Sequence, residues 1–187
     1  MTHKFMEAVA QGLAARHLAT LRYQFPYMEQ GKKRPDTPAV AHATVRAAVA
    51  AAAQRQPGLP LITGGKSFGG RMTSQAQAQE PLPGVRGLCF FGFPLHPAGK
   101  PGTDRAAHLS SVSIPMLFLQ GTRDALAEVS LITSIAASLG SRATLHLIAD
   151  ADHSFHVPAK SGRKDAQVLE EMLDEVAAWT ARITRGA

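Results

Sequence analysis

The sequence predicts an α/β fold in which a mostly parallel sheet carries helices on both faces. Short apolar runs of strand length alternate with long helical stretches along the whole chain, a pattern typical of such sheets. The chain has 187 residues and no internal repeat or low-complexity tract, and this length suits one domain. We therefore predict a single domain over residues 1–187.

The N-terminal segment predicts a helix followed by a strand. Apolar side chains recur at helical spacing in residues 3–16, which predicts an amphipathic helix. Apolar and polar residues then alternate in HLATLRYQFPY, which predicts a strand from His17 to Tyr27 that Pro26 closes.

A second helix and a short strand follow a polar loop. Asp36 or Thr37 can cap a helix over residues 38–55, whose first turn tolerates the proline at position 38. The apolar run LPLIT (59–63) has the length of a buried strand. The glycines after this run lead into a helical stretch over residues 67–79.

Three more strands and two more helices complete the predicted fold. The strands are the apolar runs VRGLCFFGFP (85–94), PMLFLQG (115–121) and ATLHLIA (143–149). One helix covers residues 125–140, where Gly140 ends it, and the C-terminal helix shows one apolar face from Leu169 to Ile183. Residues 95–113 are rich in Pro, Gly and His and predict a loop.

The segment LPLITGGKSFGG (59–70) resembles two different functional turns. A phosphate-binding loop requires G-x-x-x-x-G-K-[ST], whose first glycine opens a ring of backbone N–H groups. The residue five positions before Gly65 is Pro60, which has no N–H and a fixed φ, so a nucleotide site is disfavoured. Residues 65–69 instead match G-x-S-x-G, directly after a predicted strand and before a predicted helix. We predict a sharp turn that presents Ser67 as a nucleophile.

Two residues further along the chain can activate this serine. A serine hydroxyl needs a base to remove its proton, and in folds of this type an acid and then a histidine follow the serine. Asp124 follows the predicted strand that ends in LFLQG, and His153 follows the last predicted strand. Because the carboxyl ends of parallel strands share one edge of the sheet, we expect both residues near Ser67. Their predicted roles are general base and acid for His153, and orientation of the imidazole for Asp124.

Other roles remain open for the acidic residues and histidines at this edge. Asp124 could instead cap the helix that begins at Ala125, and His156 is the rival for the general base. Asp150 and Asp152 could bind a cation together with the histidines, although no metal-ligand spacing stands out.

Two loops are predicted to shape the substrate site. Residues 28–36 and 95–113 lack periodicity, and loop shape sets the specificity of a site at this edge of a sheet. His96 and His108, in the second loop, could line a substrate cleft.

The basic composition suggests a nucleic-acid partner, but the distribution of charge argues against one. The net charge is +6. The one tight cluster, Lys32-Lys33-Arg34, lies in a loop without the interleaved aromatic residues of a stacking platform. We predict no nucleic-acid partner.

Cysteine content and hydropathy predict a cytoplasmic protein with no membrane partner. The single cysteine, Cys89, excludes an internal disulfide and lies in an apolar strand, where inert packing is expected. The N-terminus lacks the apolar region of a secretory signal. No apolar run is long enough to suggest a membrane span.

Four blocks of the sequence resemble a known family. GGKSFGGRM, FGFPLHP, LFLQGTRD and DADHSFHVP, in this order, are similar to blocks of the α/β-hydrolase superfamily and of its dienelactone-hydrolase-like branch. The resemblance runs from Phe5 to the C-terminal helix. It implies esterase-like hydrolysis through an acyl-enzyme, with Ser67, Asp124 and His153 as the triad and no cofactor. Dienelactone hydrolases use cysteine as the nucleophile, so their lactone specificity is not carried over to Ser67.

The resemblance also implies a segment that this sequence does not contain. Relatives usually have a central strand and a His-Gly-rich loop before the first helix, and that loop supplies a backbone donor to the tetrahedral intermediate. The N–H of Phe68 is the one oxyanion-hole donor that the sequence identifies, and losing the second typically costs about 10² to 10³ in rate. We hypothesise that Met1 is an internal start and that the fold is N-terminally truncated. An in-frame stop codon immediately upstream of Met1 would contradict this.

Two functions follow from these observations. The leading hypothesis is a serine hydrolase that cleaves a small ester or thioester. The alternative is a catalytically silent α/β-hydrolase-like protein that serves as a binding or scaffold module. The first predicts turnover of short-chain esters and the second predicts none. The sequence predicts no oligomeric state.

Overall fold

Four parallel strands form one sheet in the computed structural model, which describes residues 3–185. The strands are β1 (Leu61–Lys66), β2 (Val85–Phe91), β3 (Met116–Gly121) and β4 (Ala143–Ile148). Their spatial order is their chain order, and each neighbouring pair is parallel. The predicted α/β class is confirmed.

Six α-helices accompany the sheet in the described residues. They are α1 (Lys4–Ala14), α2 (Pro26–Glu29), α3 (Pro38–Arg55), α4 (Phe68–Gln79), α5 (Val129–Leu139) and α6 (Asp165–Thr184). Three 3₁₀ helices cover Asp104–Ser111, Gly140–Arg142 and Ala159–Ser161. No helix in residues 3–185 combines the length and the apolar composition needed to cross a bilayer.

The helices cover both faces of the sheet, as predicted. Successive side chains of a strand point to opposite faces, and β2 shows this alternation. Leu88 and Phe90 pack in one apolar cluster with residues of α3, α4 and α5. Cys89 and Phe91 pack in a second cluster with residues of α1 and α6. The sheet therefore separates two cores, and the ends of its strands lie between them.

The predicted strand from His17 to Tyr27 is wrong. Residues 18–25 are not part of any strand, and α2 begins at Pro26. Two of the three aromatic residues behind the alternating pattern pack on Phe68 instead, since the ring centroids of Phe25 and Tyr27 lie 5.3 and 6.0 Å from that of Phe68. A strand requires a neighbouring strand to satisfy its backbone groups, and β1 pairs only with β2 in the described part of the chain. The alternation of apolar and polar residues in this segment therefore results from aromatic packing and does not indicate a strand.

Three other boundaries differ from the predicted ones. The helix predicted over residues 125–140 begins only at Val129. β1 continues through the glycines to Lys66. Glycine is required within this strand, because Gly64 lies so close to β2 that a Cβ atom there would overlap the carbonyl oxygen of Cys89. The predicted loop 95–113 contains a 3₁₀ helix, Asp104–Ser111, that packs against α4.

Candidate active site

Ser67 occupies a sharp turn between β1 and α4. Its φ of 51° and ψ of −114° lie in a region that non-glycine residues rarely adopt. The turn brings α4 so close to β1 that a Cβ atom on Gly70 would lie 2.7 Å from the carbonyl oxygen of Gly65. The backbone N–H of Ser67 donates to the carbonyl oxygen of Phe91 on β2, at 3.1 Å. These contacts fix the serine at the carboxyl end of β1, as the G-x-S-x-G pattern predicts.

The structure brings the three predicted side chains into one hydrogen-bonded chain. His153 Nε2 lies 2.9 Å from Ser67 Oγ, and His153 Nδ1 lies 2.7 Å from Asp124 Oδ2. The Asp124 side chain is fully buried, whereas 24% of the His153 side chain is exposed. The serine and the imidazole can therefore be reached from solvent while the carboxylate is shielded.

The Asp124 carboxylate is held by two further hydrogen bonds. Its Oδ1 accepts a hydrogen bond from the backbone N–H of Leu126 at 2.8 Å, and its Oδ2 accepts one from Gln120 Nε2 at 2.5 Å. Gln120 is itself fixed, because its Oε1 accepts from the backbone N–H of Phe93 at 2.9 Å. The Leu126 contact closes a turn after β3 rather than capping a helix, because α5 begins at Val129 after Glu128. The alternative role of Asp124 as the cap of a helix that begins at Ala125 is therefore wrong.

Lys66 fixes the loop that carries His153. Its Nζ donates to the backbone carbonyl oxygen of His153 at 2.7 Å. The ammonium also lies 4.9 Å from the ring centroid of Phe5 and 5.1 Å from that of Phe155, within the range of cation–π attraction. Burial lowers the pKa of Lys66, and the smaller effect of the Asp124 and Asp152 carboxylates acts in the opposite direction.

The backbone N–H of Phe68 is placed to receive negative charge. It is the first N–H of α4, and the first N–H groups of a helix have no partner within the helix. Within residues 3–185 it makes no backbone hydrogen bond outside α4. Developing negative charge near Ser67 is also favoured by the amino-terminal end of the helix dipole.

The rival residues of the last loop make other contacts. His156 Nδ1 lies 2.8 Å from Asp165 Oδ2, and this carboxylate raises the pKa of His156. Asp152 Oδ1 accepts hydrogen bonds from the backbone N–H groups of Ser154 and His156, at 2.7 and 3.0 Å. His153, rather than His156, is therefore the imidazole in contact with Ser67.

The two loop histidines are both hydrogen-bonded but differ in exposure: His96 is buried, whereas His108 is half-buried and lines a pocket between α3, α4 and the 3₁₀ helix Asp104–Ser111. The His96 ring donates through Nδ1 to the carbonyl oxygen of Pro97 at 2.9 Å, and its Nε2 accepts from the backbone N–H of Glu128 at 3.4 Å. His108 Nε2 lies 2.7 Å from Ser74 Oγ on α4.

Complete burial raises the pKa of Cys89 to about 12, so its thiol stays protonated and its predicted role in packing stands.

His108 should make stability depend on pH. Burial, with smaller contributions from Arg71 and His42, lowers its pKa from an ordinary value of 6.5 to about 4. Below pH 6.5 the unfolded chain binds a proton that the folded protein does not, so the free energy of unfolding falls as the pH falls towards 4. Because His108 is partly exposed, solvent reduces this effect. We expect the free energy of unfolding to fall by about 1 kcal/mol over this pH range, which lowers Tm by roughly 3 °C. Thermal unfolding of wild type and His108→Gln between pH 7 and 4 measures this, and parallel curves would contradict it.

Sequence reasoning missed Gln120 and Lys66 as supporting residues. Gln120 is a polar residue in the otherwise apolar run MLFLQG and is completely buried. A buried polar side chain needs a partner, so this exception to the apolar pattern was an available signal. Lys66 contacts a residue 87 positions away, and no local pattern indicates such a contact.

Most of the chain matches a known protein family. A family model described as an alpha/beta hydrolase domain matches residues 1–181.

Solved structures share the fold at low sequence identity. An alpha-beta serine hydrolase homologue from Coxiella burnetii is 19% identical with a TM-score of 0.74, over 94% of this chain and 77% of that one. A serine hydrolase without a lid from Xanthomonas campestris is 21% identical with a TM-score of 0.72, over 96% and 75% of the two chains. The esterase domain of a Rhodothermus marinus protein is 15% identical with a TM-score of 0.69, over 96% and 80%.

Proposed function

Because the chain belongs to the alpha/beta hydrolase domain family and is a hydrolase, we propose that it cleaves a small ester or thioester through an acyl-enzyme on Ser67. The observation that carries this proposal is the continuous contact from Ser67 through His153 to Asp124, with distances of 2.9 and 2.7 Å. A serine hydroxyl at this distance from an imidazole can lose its proton as it attacks. Partial exposure of the serine and imidazole leaves them accessible to a small substrate.

In the first half of the reaction, Ser67 attacks the substrate carbonyl carbon. The hydroxyl proton moves to His153 Nε2, and the new bond from Ser67 Oγ turns the carbonyl oxygen into an oxyanion. The backbone N–H of Phe68 donates a hydrogen bond to this oxyanion. His153 then gives its proton to the leaving alcohol or thiol, and the acyl group stays on Ser67.

In the second half, water repeats these steps against the acyl-enzyme. His153 takes a proton from the water, the hydroxide adds to the acyl carbon, and Ser67 leaves with the proton that His153 returns. Asp124 keeps the proton of His153 on Nδ1, so that Nε2 stays available as the base. Gln120 and Lys66 support this geometry through Asp124 and the His153 backbone, respectively.

A covalent probe tests this function. Incubation of the intact chain with a fluorophosphonate should add one adduct, because the probe reacts with activated serines. Peptide mass spectrometry should find the adduct on Ser67. If no serine were labelled, or if another serine carried the adduct, the proposed acyl-enzyme would be wrong and the scaffold alternative would be favoured.

A further inference from the structure

Arg71 is an unusual arginine, because it is partly buried and has no polar partner for its side chain. Its Nε is the one buried side-chain nitrogen or oxygen without a hydrogen bond in residues 3–185. Its guanidinium carbon lies 5.9 Å from the ring centroid of Phe68. No carboxylate of the described residues forms an ion pair with it. A buried nitrogen donor without an acceptor is costly, so the position of this side chain needs a physical reason.

A second arginine lies on the facing element. Ser74 on α4 is bonded to His108 on the 3₁₀ helix Asp104–Ser111. Arg71 precedes Ser74 by three residues, which places both on one side of α4. Arg105 precedes His108 by three residues, and side chains three apart in a 3₁₀ helix eclipse one another. Arg71 and Arg105 therefore lie on the two elements that the Ser74–His108 contact joins, each three residues from that contact.

Neither arginine has a counter-ion among the described residues. The charge of Arg105, after the larger effect of burial, lowers the pKa of Arg71. Arg105 is also partly buried, and among the described residues it forms no ion pair, even with its neighbour Asp104. An anion between them would supply the missing hydrogen bonds and relieve the repulsion.

We propose that Arg71 and Arg105 form a subsite for an anionic oxyacid group, a carboxylate or a phosphate, carried by the acyl part of the substrate. This inference rests on the proposed hydrolase function for its role in specificity. The subsite lies close to the reacting bond, because Arg71 is four residues after Ser67, or about 6 Å along the helix axis. Arg71 also lies beside Phe68, whose backbone N–H is the proposed oxyanion donor. A short acyl chain could therefore join Ser67 to the anion subsite.

Binding of free anions tests the subsite without any turnover. Glutarate, inorganic phosphate and neutral glutaramide should be titrated calorimetrically into wild type, Arg71→Gln, Arg105→Gln and Arg55→Gln. Arg55 is exposed at the end of α3 and makes no ion pair with the described residues, so Arg55→Gln removes the same charge elsewhere. We expect glutarate or phosphate to bind about 10- to 100-fold more weakly to the Arg71 and Arg105 variants only. Glutarate binding would identify a carboxylate and phosphate binding a phosphoryl group.

Turnover then tests the role of the subsite in specificity. We expect Arg71→Gln to raise KM about 10- to 100-fold more for mono-p-nitrophenyl glutarate than for neutral p-nitrophenyl butyrate. Arg55→Gln should leave both KM values unchanged. Arg71→Lys should recover part of the loss, since it keeps the charge but not the planar fork. Failure of both anions to bind wild type, or equal binding to Arg71→Gln, would overturn the subsite. Anion binding that depends on Arg71, without hydrolysis of any ester, would refute the proposed function and leave the subsite standing.

Discussion

Replacement of Ser67 by alanine is expected to lower kcat for short-chain p-nitrophenyl esters by about 10⁶-fold, to the level left by binding and the oxyanion donor alone. The reason is that, among the described residues, Ser67 is the one hydroxyl that contacts the His153 imidazole. His153 Nε2 lies 2.9 Å from Ser67 Oγ and would have no nucleophile to activate in the variant. Steady-state kinetics with p-nitrophenyl acetate and fluorophosphonate labelling would measure the loss.

A matched serine variant controls for a general effect of losing a hydroxyl. Ser138 lies on the exposed side of α5, where its Oγ donates to the carbonyl oxygen of Ile135. Ser138→Ala should keep wild-type turnover and labelling. Residual activity of Ser67→Ala within tenfold of wild type would show that another group performs the attack.

The strained backbone of Ser67 adds a second readout to this prediction. A positive φ costs a serine about 1 kcal/mol or more, and glycine adopts it freely. Ser67→Gly should therefore be as inactive as Ser67→Ala but more stable to urea by about 1 kcal/mol. Equal midpoints for the two variants would contradict the presence of strain at this turn.

Replacement of Asp124 by asparagine is expected to lower kcat by about 10⁴-fold. The carboxylate accepts hydrogen bonds from His153 and Gln120 through Oδ2 and from Leu126 through Oδ1. In the variant, the amide oxygen takes the place of Oδ1, because it must still accept the hydrogen bond from the Leu126 N–H. The amide NH₂ then takes the place of Oδ2 and faces Nδ1 of His153. The imidazole then accepts at Nδ1 and carries its proton on Nε2, where it cannot take one from Ser67.

Gln120 cannot compensate for this substitution. In the variant, the new amide NH₂ would also face the donor Nε2 of Gln120. Gln120 cannot turn its own amide to remove this contact between two donors without losing the hydrogen bond from Phe93. Asp150→Asn is the matched control, because Asp150 is exposed at the same edge of the sheet and asparagine tolerates its φ of 59°. Kinetics of both variants, with circular dichroism to verify folding, would measure the difference. A loss of less than tenfold in Asp124→Asn, or an equal loss in Asp150→Asn, would exclude the orienting role.

Most helices and strands could be predicted from the sequence, because the spacing of apolar residues within each segment indicates its secondary structure. The alternation of strands and helices follows from hydrophobic periodicity, and the observed strands β2, β3 and β4 lie within the predicted runs. The predicted strand at His17–Tyr27 failed for the opposite reason. A strand depends on a partner that its own sequence does not specify, whereas aromatic packing on Phe68 produces the same alternation.

By itself, the sequence determined the class of the fold, the turn at Ser67 and the two strand ends where its partners lie. These features depend on glycines and apolar periods within a few residues of one another. Only the tertiary structure decided that His153 rather than His156 contacts Ser67, and that Gln120 and Lys66 contact Asp124 and His153. It also decided that Arg71 has no carboxylate partner among the described residues. Each of these choices is made by groups far apart in the chain, since Lys66 and His153 are separated by 87 positions. Contacts at such separations follow from packing of the whole domain, which no short stretch of sequence encodes.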